Sequence, residues 1–190
     1  MRVYYSLVLA IVLLGGSGSA LAQGSRSSPY ADSLAPYIPS PQIIVERMLE
    51  LATVQPGEVV YDLGSGDGRV LITAVQQFKA RAVGVELSPD IARKASERIA
   101  RMGLQNQARV IQGDIRDADL SGADVVTMYL LTDSNEMLRP KLEKSLRPGV
   151  RVVSYSFKVP GWKYNKLEET DPFGNGRKHA IYLYVMPPHK

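Results

Sequence analysis

The sequence predicts an α/β fold, a doubly wound and mostly parallel sheet that ends in an antiparallel hairpin. Three observations predict it. Short apolar strand signals alternate with helical spacings from Val59 to Tyr155, the pattern of a parallel sheet buried on both faces. A glycine-rich run, Gly64-Ser65-Gly66-Asp67-Gly68, follows the first strand signal and opens a helical one. The last two strand signals, Lys163 to Thr170 and Ala180 to Val185, are joined by the Gly/Pro-bearing stretch Asp171 to Gly176, a hairpin signature.

The elements follow in order. Ser40 is a candidate cap and Pro41 a first-turn residue for a helix with Ile43, Ile44, Arg47, Met48 and Leu51 at helical spacing. Gln55-Pro56-Gly57 ends it. Val59-Val60-Tyr61 is the first strand, and Val70, Leu71, Ala74, Val75 and Phe78 form the apolar face of the second helix. Ala82 to Val85 is the second strand. Ser88-Pro89 caps and starts a third helix, with Ile91, Ala95, Ile99 and Met102 inward and Gly103 as its stop. Arg109 to Gln112 and Asp124 to Tyr129 are the next strands. Asn135 to Leu146 is helical in pattern, with Pro140 expected to kink it or mark its true start. Val150 to Tyr155 is the fifth strand.

Composition narrows the function classes. A chain of 190 residues has room for one domain. Its 45% hydrophobic and 22% charged residues exclude a wholly disordered chain and a multi-span membrane protein. The net charge of +4 permits an acidic partner without requiring one, and no run of Lys or Arg forms a nucleic-acid arm. Cysteine is absent, which removes disulfides, thiolate zinc sites, iron–sulfur clusters and a cysteine nucleophile. With only two histidines, His179 and His189, no metal site is expected.

Residues 1–22 read as a secretory signal: Arg2, an apolar stretch from Val3 to Leu14, small residues from Gly15 to Ser19, then Ala20-Leu21-Ala22 as a cleavage site. The apolar core is shorter than the roughly 20 residues a spanning helix needs, and an uncleaved anchor is the alternative. Residues 23–36 form an extended lead-in, 37–186 the folded domain and 187–190 a tail. The expected location is therefore outside the cytoplasm, with no stable membrane partner once the signal is removed.

In a sheet of this kind the ligand sits at the carboxyl ends of the strands. The residues there are Asp62 to Gly68, Glu86, Asp114 and Tyr129 to Asp133. The glycine run is not a dinucleotide loop, because G-x-G-x-x-G would need glycine where Arg69 stands. Its spacing is D-x-G-x-G-x-G. A helix N-terminus favours an anionic group, and Asp62 adds a nearby negative charge. A ligand with both a carboxylate and an ammonium suits this pair, and the methionine end of S-adenosylmethionine has both. Glu86 can accept from two ribose hydroxyls, a device NAD enzymes share. Asp114 can accept from the adenine amino group while Ile115 packs on the ring.

With these motifs the chain resembles the class I, seven-stranded S-adenosylmethionine-dependent methyltransferases, whose sheet is Rossmann-like. The resemblance rests on Tyr61-Asp62-Leu63-Gly64-Ser65-Gly66-Asp67-Gly68-Arg69, Val83-Gly84-Val85-Glu86 and Gln112-Gly113-Asp114-Ile115, and it covers Tyr37 to Tyr184. Within that superfamily the chain is similar to a bacterial group related to the mitochondrial non-SET protein-lysine methyltransferases. Tyr37-Ile38-Pro39-Ser40-Pro41 and Arg151 to Phe157 running to Trp162 carry this narrower likeness.

The resemblance implies S-adenosylmethionine as cofactor and Asp62, Gly64, Ser65, Gly66, Asp67, Gly68, Glu86, Leu87, Asp114 and Ile115 as its candidate contacts. It makes Tyr37 a candidate lid residue. Asp67 is either a ligand or a cap for the following helix, and Arg69 either a solvated or a salt-bridged helix residue. Tyr129, at the end of the fourth strand, is either a wall of the adenine or core pocket or an aromatic face for a cationic amine. The run Met128-Tyr129-Leu130-Leu131 lacks the prolines common in enzymes that methylate exocyclic base amines. A protein lysine or a small amine is therefore the expected acceptor, ahead of nucleic acid. No general base stands out; Asp133, Glu136 or a water are the options. The alternative is a non-catalytic protein that binds S-adenosylmethionine or a related nucleoside on the same fold. Export motivates it, because the cofactor is made in the cytosol.

Overall fold

A computed structural model describes residues 38–188. The order of elements is α1 (Gln42–Leu51), β1 (Val59–Leu63), α2 (Arg69–Phe78), β2 (Arg81–Glu86), α3 (Pro89–Arg101), β3 (Ala108–Gln112), β4 (Val125–Met128), α4 (Thr132–Ser145), β5 (Arg151–Tyr155), β6 (Lys166–Thr170) and β7 (His179–Val185). They build one seven-stranded sheet in the order β3-β2-β1-β4-β5-β7-β6. The strands from β3 to β5 run parallel, and β7 joins β5 and β6 antiparallel. The expected alternation and terminal hairpin are both present.

Successive residues of each central strand face opposite layers, which is why the strands read as unbroken apolar runs. Val60, Val125 and Val153 enter a core with α1, α2 and Ile99 of α3. Tyr61, Leu63, Val126, Met128 and Val152 enter a second core with Leu138 and Leu142 of α4 and with Trp162. Asp62 shares its strand parity with Val60 and so belongs to the first face.

Two local expectations change. Ser40 does not cap α1: Pro41 is the N-cap and no side chain bonds there, while the Ser40 carbonyl accepts from Arg69 Nη1 at 2.6 Å. Helix α4 starts at Thr132 and runs through Pro140. The buried residues Ser134, Asn135, Leu138 and Leu142 anchor its inner face on both sides of the proline, and this packing offsets the backbone bond that proline removes. Ser88 caps α3 as expected, accepting from Ile91 N at 3.4 Å. The signal and lead-in expectations, and Tyr37, lie outside the described residues. No helix among the described residues is long and apolar enough to cross a membrane.

Candidate active site

The sheet order reverses between β1 and β4. Connections from these two strands leave in opposite directions, so a crevice opens at their carboxyl ends. The glycine run fills one side of it. Its backbone turns through left-handed values at Gly64, Gly66 and Gly68 (φ 80°, 52° and 76°), which glycine adopts without steric cost. The backbone N–H groups of Gly64 and Ser65 both donate to Val85 O, at 2.9 and 3.0 Å. The loop is thus pinned against β2. Gly84 makes that approach possible: a Cβ there would lie 2.6 Å from Ser65 Cβ and 2.8 Å from Leu71 Cδ1.

Glu86 ties the loop to the second strand end. It is buried, and it accepts from Gly66 N and Ser88 N, each at 2.9 Å. A carboxylate has about four lone-pair sites, so capacity remains for hydroxyl donors. Leu87 follows directly, its carbonyl accepting from Gln112 Nε2 at 3.2 Å. Asp114 lies past the end of β3. Its carboxylate accepts from Arg116 N and Nε, each at 2.8 Å, and from Arg116 Nη2. The Arg116 hydrogen bond holds its carboxyl below the ordinary range. Ile115 is buried in the second core.

Asp62 is the least solvated acid of the site. It is 6% exposed and accepts from Thr127 Oγ1 at 2.7 Å. Burial pushes its carboxyl from an ordinary 3.8 up to about 7; the Thr127 bond opposes the rise, and the charges of Glu86 and Asp67 add to it. Thr127 stands directly across from Asp62 in the β1–β4 register. Sequence reasoning missed Thr127, since only the pairing of two strands 65 residues apart brings it there.

Asp67 is half-buried and held by two arginines. Arg69 Nη2 and Arg98 Nη1 both reach its Oδ2 at 2.9 Å. Burial alone would raise its carboxyl, but the Arg69 bond and charge, with Arg98, bring it below the ordinary range. Arg69 has a second task. Through Nη1 it holds the Ser40 carbonyl and so fastens the segment before α1 to the glycine loop. Gln42 Nε2 to Thr73 Oγ1, 3.0 Å, reinforces the tie. The chain just after Tyr37 is therefore delivered to the mouth of the crevice.

On the far side of the crevice, Tyr129 follows β4. Its ring meets Tyr155 with centroids 4.3 Å apart and Phe157 at 6.2 Å. It packs on the ring of Tyr155 at the end of β5 and on Phe157 just after it.

The crevice suits a zwitterionic nucleoside. A buried acid stands beside a glycine loop at a helix start, a second carboxylate keeps spare acceptor sites, and the buried Ser65 Oγ has no hydrogen-bond partner among the described residues. An orphaned buried hydroxyl is costly unless a ligand meets it.

Residues 62–166 match the family described as the ANTKMT methyltransferase domain. The chain belongs to that family. It is similar to a protein-lysine N-methyltransferase of Saccharolobus islandicus (strain REY15A), 47% identical over 82% of this chain and 96% of the relative. It is also similar to the mouse adenine nucleotide translocase lysine N-methyltransferase, 34% identical over 67% of this chain but 56% of that longer protein. Among solved structures, an RNA methyltransferase from Salinibacter ruber in complex with S-adenosyl-L-homocysteine is 40% identical, with a TM-score of 0.73 over 80% of this chain and 96% of that one. The methyltransferase is thus of class I, with the seven-stranded sheet the sequence predicted, and its cofactor is S-adenosylmethionine.

Proposed function

We propose that this methyltransferase N-methylates a lysine side chain of a protein. The observation that carries this reading is the crevice at the β1–β4 reversal, with a buried acid and glycine loop on one side and the half-buried ring of Tyr129 on the other. The names of the Saccharolobus and mouse relatives support the acceptor class. The missing prolines after Met128 argue against a base amine.

Asp62 and the loop Gly64-Ser65-Gly66-Gly68 would hold the amino-acid end of the cofactor, with Asp62 toward its ammonium. Glu86 would take the ribose hydroxyls. Leu87, Asp114 and Ile115 would border the adenine. Asp67 contributes indirectly, by locking Arg69 and Arg98 onto the loop. Tyr37 is the lid candidate. S-adenosylmethionine supplies a methyl group on a sulfonium that carries its own leaving group. What is left to the protein is alignment and exclusion of water. The acceptor ammonium must also lose a proton, since it has no lone pair.

Incubation of the full chain with radiolabelled S-adenosylmethionine and a proteome extract tests this reading. Label in methylated lysine is the expected result. Label confined to RNA would overturn the acceptor assignment, and tight cofactor binding with no labelled product would favour a binding protein. We also infer export through residues 1–22; full-length chain found in the cytosol on fractionation would overturn that.

A further inference from the structure

At the carboxyl ends of β4 and β5 an assembly of rings stands that the cofactor does not need. Tyr129 is half-buried, Tyr155 buried and Phe157 half-buried. Tyr129 packs on both of the others, and its ring lies within 22° of parallel to Phe157. Tyr129 and Tyr155 belong to the same face of the sheet as Asp62. Yet β5 is three strands from β2, a separation of about 14 Å, so these rings lie well away from the Glu86 end.

Three independent constraints fix the assembly. Ser156 adopts φ 63°, a costly value for a residue with a Cβ, in a tight turn closed by Phe157 N to Tyr155 O at 2.8 Å. Asn135, fully buried on α4, donates from Nδ2 to Ser154 Oγ and to the carbonyls of Phe157 and Lys158, at 3.3, 3.3 and 3.1 Å. Its Oδ1 has no partner among the described residues. His179, buried at the start of β7, shares a 2.6 Å hydrogen bond between its Nδ1 and Tyr155 Oη. Lys158, next to Phe157, sends its ammonium over Tyr164 and Tyr182 instead, 5.8 Å from each centroid.

We propose that Tyr129 and Phe157, backed by Tyr155, form the wall against which the cationic acceptor nitrogen docks, and that His179 and Asn135 are the positioning residues that hold it. Aromatic faces attract ammonium groups through their quadrupole, and strain held by surrounding bonds is characteristic of a pre-organised site. This assigns Tyr129 to the acceptor and not to the adenine. The proposal rests on the methyltransferase reading, because the wall is useful only beside a bound methyl donor.

The test needs no known acceptor. Calorimetry on the full chain compares S-adenosylhomocysteine with sinefungin, an analogue that bears a primary amine where the cofactor bears its methyl sulfonium. The wild-type protein should prefer sinefungin, and Tyr129→Leu should reduce that preference by roughly 3- to 30-fold while leaving S-adenosylhomocysteine affinity unchanged. Tyr155→Phe and His179→Leu should each reduce the preference, with no further loss when combined. His179→Asn, which keeps a polar group where Nδ1 stands, should restore it. Retained S-adenosylhomocysteine binding shows that each variant is folded. Equal loss of both ligands in Tyr129→Leu would place the ring in the cofactor pocket and overturn the proposal. An unchanged preference in Tyr129→Leu would overturn it too. Additive effects of the Tyr155 and His179 variants would overturn the positioning role. Failure of the wild-type chain to bind S-adenosylhomocysteine would instead remove the cofactor assignment beneath it.

Discussion

If Asp62 faces the cofactor ammonium as proposed, cofactor binding and folding should respond to pH in opposite senses. Its carboxyl titrates at about 7 in the folded protein against an ordinary 3.8. A folded-state value raised above the unfolded one favours the folded state at low pH. That stability is fully present below about 4 and is lost as pH rises through about 7. The gap corresponds to roughly 4 kcal/mol. In the proposed placement binding should run the other way, because an ammonium beside Asp62 favours the ionised carboxylate. At pH 6 only roughly a tenth of the unliganded protein has Asp62 ionised. Affinity for S-adenosylhomocysteine should therefore fall about tenfold per pH unit below 7, and each binding event at pH 6 should release close to one proton. Titration calorimetry in two buffers of different ionisation enthalpy measures that proton directly. Asp62→Asn should abolish the pH slope and weaken binding, yet raise the melting temperature of the free protein at pH 8, since the amide carries no buried charge. Affinity that stays flat from pH 5.5 to 7 in the wild-type protein would refute the reasoning. So would an Asp62→Asn protein that binds with the wild-type slope.

Three other predictions follow from the geometry. Thr127→Val removes the hydrogen bond that lowers the Asp62 carboxyl, so the pH limb of binding should move upward, as the same calorimetry would show. Gly84→Ala drives a methyl group into Ser65 and Leu71; thermal denaturation should record a loss of about 1–3 kcal/mol, with cofactor affinity falling as the glycine loop shifts. Arg69→Ala frees the Ser40 carbonyl and leaves Asp67 with Arg98 as its remaining arginine partner, and should cost about 1–2 kcal/mol in urea denaturation, with proteolysis newly admitted just before α1.

Much of the fold was legible because its signals are local. Val60, Val83 and Val126 sit in short apolar runs, Ser88-Pro89 caps a helix by neighbouring bonds, and the glycine run turns on its own backbone. Pro140 misled because buried residues on both sides of it carry α4 through, and a proline rule weighs only the local chain. Ser40 misled by one position: the helix begins at Gln42, so Pro41 and not Ser40 takes the cap place, while the Ser40 carbonyl is claimed by Arg69, 29 residues away. In the site, Asp62, Glu86 and the glycines announce themselves by following strands. Thr127, Asn135 and His179 do not. A buried threonine, asparagine or histidine looks ordinary in sequence, and each gains its meaning from a partner on another strand or helix.

The Asp62–Thr127 bond crosses the line where the sheet changes direction, and there the two halves of the molecule share a polar group at the site. Among the described residues, the groups proposed to grip the nucleoside belong to β1, β2 and β3, whereas the rings proposed to meet the acceptor hang from β4 and β5. Apart from Thr127, substitutions on the second half should leave the first untouched. A lineage with this layout can exchange one acceptor for another while its hold on the methyl donor stays the same, and a single threonine hydroxyl is the hinge pin on which the two inheritances meet.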